Sequence, residues 1–314
     1  MHLPTLPGSD VPLYPLNLGG NPFGWTADEE ESFAVLDAFL AAGGTFVDTA
    51  DAYVSWVDGA SGGESEAIIG RWMADRRVRD QVVVATKVGA KPDRKGLHPD
   101  TVMRALEETL ERLGTDHVDL YYLHYDDEEV PVADQAATLH ALVRAGRVRS
   151  VGLSNYTPQR MREWFETAER EGLTAPAAIQ PRYSLLSRGD YERDYAPIVA
   201  EFGPLVFSYP ALASGFLTGK YRTEADLEGA PRGGAARRYL EAGGLRVVDE
   251  LVRVAEGYAV APATVALAWL LAKGVTAPIA SASRPEQLDA LMAAPRLELT
   301  AQDVAALDAV SEGF

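Results

Sequence analysis

Residues 43–53 read GGTFVDTADAY. The paired glycines stop a helix, because they take backbone angles that other residues avoid. Thr45, Phe46 and Val47 then favour an extended strand. Asp48 closes that run with a carboxylate, and Tyr53 follows five residues later in a turn-prone stretch. Helix stop, short apolar strand and polar strand end are the grammar of a βα unit.

The same grammar recurs outward in both directions. VVVATK at 82–87 ends on Lys87, and HVDLYYLH at 117–124 ends on His124. Strands are expected at 14–19 (YPLNLG), 45–48, 82–87, 119–124, 148–153, 178–181, 204–209 and 277–281, with helical patterns between them. Thr26 and Glu29 have capping-box spacing, with Phe33, Leu36 and Leu40 on one face behind them. Val102, Leu106, Leu110 and Leu113 make a second stripe that Gly114 ends, and Glu108 and Arg112 are spaced for an i,i+4 ion pair. Eight strands alternating with helices predict a single-domain (β/α)₈ TIM barrel over 1–314. A doubly wound sheet would place G-x-G-x-x-G at its first βα turn. LGGNPFGW at 18–25 lacks it. Residues 211–243 are expected as a long loop after the seventh strand, with the Gly-, Ala- and Arg-rich EGAPRGGAARRY (228–239) at its centre. Loops of that length are either functional or mobile.

Composition removes several function classes. The formal charge of −17 opposes a nucleic-acid partner, which needs a basic face. No segment has the ~20 consecutive apolar residues of a membrane span, and MHLPTLPGSD lacks the pattern of a secretory signal. With no cysteine there are no disulfides, thiolate metal sites or cysteine nucleophiles, which agrees with a cytoplasmic location. His2, His98, His117, His124 and His140 show no metal-ligand spacing, so no metal is expected. SGFLTGKY (214–221) is one residue too short for a P-loop, and Tyr221 stands where its Ser or Thr belongs. A retaining glycosidase needs two facing carboxylates about 5 Å apart, which these strand ends do not offer. G-x-S-x-G is absent too.

Carbonyl reduction needs a hydride on carbon and a proton on the developing alkoxide. A tyrosine can give that proton, and a neighbouring lysine is expected to lower its pKa. A carboxylate keeps the lysine charged, and a histidine can hold the carbonyl oxygen. Tyr53, Lys87, Asp48 and His124 supply those four groups at successive strand ends. Taken singly, each also has an ordinary explanation as a cap, a surface ion or a packed ring.

GGTFVDTADAY, VVVATKVG, HVDLYYLH, GRVRSVGLSNY, LTGKY and RPEQL together resemble the aldo-keto reductases, over nearly the whole chain. The resemblance implies a (β/α)₈ barrel, NADPH-dependent reduction of an aldehyde or ketone, and a catalytic tetrad at Asp48, Tyr53, Lys87 and His124. It places the nicotinamide carboxamide on Ser154, Asn155 and Gln180, and its ring on Tyr209. Gly20, Asn21, Leu212, Ser214, Gly215 and Lys220 fall in the remaining cofactor segments, with the last three at the diphosphate. Ser281, Ser283, Arg284 and Gln287 fall at the adenosine end, where Leu291 replaces a frequent Asn. Trp25, Trp56 and Tyr125 are expected to line a substrate pocket for apolar or cyclic carbonyls. The expected partner is therefore a small carbonyl compound, and the expected state a monomer or weak homo-oligomer. Some proteins of this resemblance are channel-associated subunits that bind NADPH and turn over slowly, which is the alternative function.

Overall fold

The computed structural model describes residues 3–314, so His2 lies outside them. Eight short parallel strands form one curled sheet: β1 (Asn17–Gly19), β2 (Phe46–Asp48), β3 (Val83–Val88), β4 (Val118–Leu123), β5 (Val148–Ser154), β6 (Ala178–Gln180), β7 (Leu205–Val206) and β8 (Ile279–Ala280). Their spatial order is β8-β1-β2-β3-β4-β5-β6-β7. Between β7 and β8 the backbone N–H of Thr276 donates to Val206 O and that of Ile279 to Ser208 O, both at 2.9 Å.

Alternation along the strands divides the core in two. Phe46, Val83, Ala85, Leu120, Tyr122 and Ala178 face one another inside the curl, together with Leu6 and Leu13 from the N-terminal segment. Val47, Val84, Tyr121, Val151, Ile179 and Val206 face outward and meet the helices. Both faces of each strand are covered, which is why the strands read as continuous apolar runs.

The strands are shorter than expected at 14–19, 204–209 and 277–281. Pro15, Pro204, Pro210 and Pro278 bracket those runs and have no N–H to give a ladder. The helices are α1 (Glu29–Ala41), α2 (Glu64–Arg76), α3 (Pro99–Leu113), α4 (Val132–Arg144), α5 (Pro158–Glu171), α6 (Ala196–Phe202), α7 (Gly233–Glu241), α8 (Leu245–Tyr258), α9 (Pro262–Ala272), α10 (Leu288–Met292) and α11 (Ala301–Val310). The capping box of α1 is Asp28 with Glu31, not Thr26 with Glu29. The backbones of Thr26 and Ala27 are tied to Pro22 O in a turn, which delays the helix. Its fully buried face is accordingly Ser32, Val35, Leu36 and Phe39, with Phe33 and Leu40 only partly covered. In α3 the expected stripe is buried and Gly114 ends the helix at φ 62°. Glu108 and Arg112 do approach to 3.7 Å, but each has a nearer partner: Arg94 at 2.7 Å and Glu66 at 2.7 Å.

Residues 211–243 are structured, contrary to a bare loop. Two 3₁₀ segments, Ala213–Thr218 and Glu224–Leu227, lead into α7. Phe216, Leu217, Leu227, Ala236 and Tyr239 bury their side chains and anchor the segment to the helical layer. No single helix among the described residues is long and apolar enough to cross a membrane.

Candidate active site

Asp48 ends β2, and register puts it beside Ala85 of β3, so that Lys87 stands two residues further along the neighbouring strand. Both side chains are fully buried. The chain then turns sharply after Thr49. Tyr53 N–H bonds to Ala50 O, and Tyr53 O accepts from Gly63 N–H, which folds Tyr53 back over the strand ends. Gly62 permits the return: its φ is +89°, and a Cβ there would meet Asp51 O at 2.9 Å.

Lys87 Nζ donates to Asp48 Oδ1, to Thr49 O at 2.7 Å and to the Tyr53 hydroxyl at 2.9 Å. Tyr53 in turn lies 3.3 Å from Asp48 Oδ1, while Gln180 Nε2 donates to Asp48 Oδ2 at 2.9 Å from across the sheet. His124 brings its ring centroid to 6.3 Å from that of Tyr53, and its buried Nδ1 has no partner among the described residues. The four residues expected as a tetrad are thus brought together.

The expected nicotinamide residues form the adjoining network. Asn155, held at φ +55°, donates from Nδ2 to His124 O at 2.8 Å and to Ser154 Oγ at 3.1 Å. The Tyr209 hydroxyl donates to Asn155 Oδ1, and Ser154 Oγ donates to Gln180 O at 3.3 Å. Gln180 therefore bridges the two halves of the site.

Electrostatics sets the protonation states. Burial, and after it Asp48, holds the Tyr53 pKa well above that of a free phenol. The lowering expected from Lys87 is outweighed, since Asp48 is bonded to the same ammonium and opposes its charge. Burial pulls Lys87 down, with Asp48 opposing. Burial, then Lys87, pulls His124 well below the ordinary imidazole value. At neutral pH the phenol is a proton donor and the imidazole is uncharged.

Tyr53 lines a cleft of about 420 Å³. Asn21, Tyr209, Leu212, Ser214, Gly215 and Lys220 line it, as do Ser281, Ser283, Gln287 and Leu291. Ala213, Ser214 and Gly215 have φ of 48°, 58° and 88°, a run of left-handed backbone that makes a tight bend at the wall. Asp48, Lys87, His124, Ser154, Asn155 and Gln180 do not line this cleft, nor does Gly20, where a Cβ would meet Ser65 Oγ at 2.9 Å. Arg284 is exposed and is not among the walls, and Gln287 Oε1 accepts from Ser283 N–H as a local cap. Trp25, Trp56 and Tyr125 form an aromatic rim rather than walls. Trp56 meets Trp25 edge-on at 5.6 Å and Tyr53 at 6.2 Å, and Tyr125 stacks on His124 at 5.0 Å. Trp56 and Tyr125 remain 49% and 51% exposed.

Among the described residues lining the cleft, two are cationic, Lys220 and Arg232, and none is acidic. In a chain of charge −17 that exclusion marks a site for an elongated anion. A nicotinamide dinucleotide, with its diphosphate, fits such a donor set. Arg232 lies in the Gly-, Ala- and Arg-rich EGAPRGGAARRY, where the sequence gives it no individual role. Three arginines stand there, and only folding selects the one that turns inward.

The sequence model of the aldo/keto reductase family matches residues 15–312. The chain belongs to the aldo/keto reductase family. It is 32% identical to "Aldo-keto reductase ausK" of Aspergillus calidoustus, over 98% of this chain and 81% of that protein. It is 31% identical to "Norsolorinic acid reductase stcV" of Emericella nidulans, over 96% and 79%. A "Probable voltage-gated potassium channel subunit beta" of Oryza sativa subsp. japonica is 32% identical over 85% and 82%. As an aldo/keto reductase the chain is an oxidoreductase of carbonyl compounds, from a family that works with NAD(P)H.

Proposed function

We propose that this aldo/keto reductase is a single closed (β/α)₈ barrel over 1–314 that reduces an aldehyde or ketone with NADPH. The observation that carries the chemistry is the Lys87 ammonium bonded at once to Asp48, Thr49 and Tyr53, beneath a cleft that opens on Tyr53. The backbone bonds between β7 and β8 support closure.

Bound NADPH supplies the hydride. Tyr53 gives its proton to the carbonyl oxygen as charge develops there, and Lys87 at 2.9 Å steadies the phenolate left behind. Asp48 holds Lys87 in place and balances its charge. Neutral His124 donates a hydrogen bond to the carbonyl oxygen and fixes its approach. Ser154, Asn155, Gln180 and Tyr209 hold the nicotinamide. Ser214, Gly215 and Lys220 would hold the diphosphate, and Gly20, Asn21 and Leu212 fall in the remaining cofactor segments. Ser281, Ser283, Arg284 and Gln287 take the adenosine end, where an arginine suits a 2′-phosphate. Trp25, Trp56 and Tyr125 set the choice of an apolar or cyclic substrate. The cysteine-free chain is read as cytoplasmic, and as a monomer or weak homo-oligomer.

Tyr53→Phe tests the proton step. Steady-state turnover of a reactive aldehyde should fall ~10²–10⁴-fold, while NADPH still quenches tryptophan fluorescence. Near-normal turnover would remove Tyr53 from the mechanism. The channel-subunit likeness favours a second reading, an NADPH-binding regulator with slow turnover. Single-turnover oxidation of bound NADPH separates the two: a rate no faster with aldehyde than without it favours the regulator.

A further inference from the structure

Inside the curl of the sheet lies a hydroxyl that the proposed chemistry does not use. Tyr122 stands beside Lys87 in the register of β3 with β4, and beside Gly152 in that of β4 with β5. A Cβ at Gly152 would come within 2.4 Å of the Tyr122 ring, so the missing side chain is what lets the ring lie against β5. Gly152 pairs in turn with Ala178, two residues before Gln180. The Tyr122 hydroxyl is buried and has no hydrogen-bond partner among the described residues. Burial, and after it Asp48, holds its pKa well above that of a free phenol, with the Gln180 amide opposing. The group is therefore neutral and has a proton to donate, within reach of the fields of Asp48 and Gln180. An unpaired hydroxyl in the interior is destabilising, and phenylalanine would fill the same space without that penalty.

The bond between Asp48 and Gln180 explains its presence. Asp48 Oδ2 accepts from Gln180 Nε2 at 2.9 Å, and a carboxylate oxygen has lone pairs for more than one donor. Gln180 is claimed twice, by Asp48 and, on the reductase reading, by the nicotinamide carboxamide. We propose that Tyr122 is a positioning residue that acts as the reserve donor of Asp48: when Gln180 turns to the carboxamide, the Tyr122 hydroxyl takes its place on Oδ2. This rests on the reductase reading and adds a residue to it. The exchange leaves Asp48 with a donor throughout, so its carboxylate stays ionised and Lys87 stays charged beneath the phenol of Tyr53. One hydrogen bond is lost as another forms, which frees Gln180 to move. Tyr122 touches neither substrate nor cofactor and acts through Asp48.

Tyr122→Phe removes the hydroxyl and keeps the ring. In the cofactor-free protein it gives up no bond, so the melting temperature should hold or rise. NADPH affinity, read by quenching of tryptophan fluorescence, should weaken roughly 10- to 100-fold, the range for a hydrogen bond to a charged group. A variant that melts lower without cofactor, or does not fold by circular dichroism, shows a bond already made and overturns the proposal. An unchanged affinity overturns it too. A cycle in the cofactor-free protein tests the exchange by itself, because Gln180→Met vacates Oδ2 with no cofactor needed. Tyr122→Phe should then lower the melting temperature in the Gln180→Met background but not in the wild type. Equal effects in the two backgrounds overturn the proposal even where NADPH affinity has fallen. A Gln180→Met protein that does not fold overturns it as well, since Tyr122 has then not replaced the amide. A double variant that fails to fold where each single variant folds counts as the expected loss. If NADPH does not quench the wild type, the cofactor reading has failed, and the cycle alone decides whether Tyr122 is the reserve donor.

Discussion

The ammonium of Lys87 has three protons and three oxygens around it: Asp48 Oδ1, Thr49 O and the Tyr53 hydroxyl. Such a group is stable only as a set, because removing one partner leaves a buried charge uncompensated. Lys87→Met should therefore destabilise the fold by ~3–5 kcal/mol in urea unfolding. Asp48→Asn in the same chain should return much of that loss, and simple additivity of the two would refute the coupling. Asp51, three residues from Asp48, carries a different signal. It is buried, Oδ1 has no partner among the described residues, and burial followed by repulsion from Glu66 raises its pKa from 3.8 to about 7. For a carboxylate raised by folding, the folded state holds its proton where the unfolded state has lost it. Stability is then greatest below about pH 4 from this group and falls as pH rises towards 7. The upper limit is about 4 kcal/mol, from roughly three pKa units at 1.36 kcal/mol each. Asp51→Asn should remove that slope, so that its melting temperature relative to wild type rises between pH 5 and pH 8. An unchanged difference would place the Asp51 pKa elsewhere.

At the scale of elements, the site depends on how closely α2 and α3 pack, because α2 begins just after the turn that carries Tyr53. Gly70 of α2 lies against the backbone of Arg112 and Leu113 at the end of α3, and a Cβ there would stand 2.3 Å from Arg112 O. Backbone cannot rotate out of the way as a side chain can. The same crossing holds buried Glu66 between Arg112 Nε at 2.7 Å and Thr109 Oγ1 at 3.1 Å. Gly70→Ala should cost ~1–3 kcal/mol as overpacking, measured by chemical denaturation, and a neutral result would show that the helices can part freely. The stripe of α3 and its glycine stop were legible in the sequence because that helix has one strongly apolar face. The start of α1 was not. Thr26 has the right type and spacing for a cap, but its backbone is taken by Pro22 O, a bond between residues that propensity does not weigh.

Across the whole molecule, the cleft is shared by five distant stretches: the end of β1 with the turn after it, Tyr53, residues 209–232 after β7, the start of α9, and β8 with the segment after it. A dinucleotide bound there would tie these stretches together only in the folded state. At a concentration 100 times its Kd it should add about 2.7 kcal/mol to stability. NADPH should therefore raise the melting temperature, and more than NADH does at equal concentration if the 2′-phosphate is read. Equal shifts would remove the preference, and no shift would remove the cofactor from this cleft.

The order of βα units, the polar strand ends and the family were determined by the sequence itself. Each is written in local chemistry: a glycine stop, a β-branched run, or a charged residue where a strand meets a loop. What folding alone decided is how the groups modify one another. Lys87 was expected to make Tyr53 more acidic, yet burial and Asp48 act the other way, and neither the depth nor the shared carboxylate can be read from spacing. Arg232 is one of three arginines within seven residues, and it faces the cleft because the 211–243 segment folds back on buried Phe216, Leu227 and Tyr239. Pairwise electrostatics and long-range packing depend on distances between residues far apart in the chain. Those distances exist only once the strands have curled.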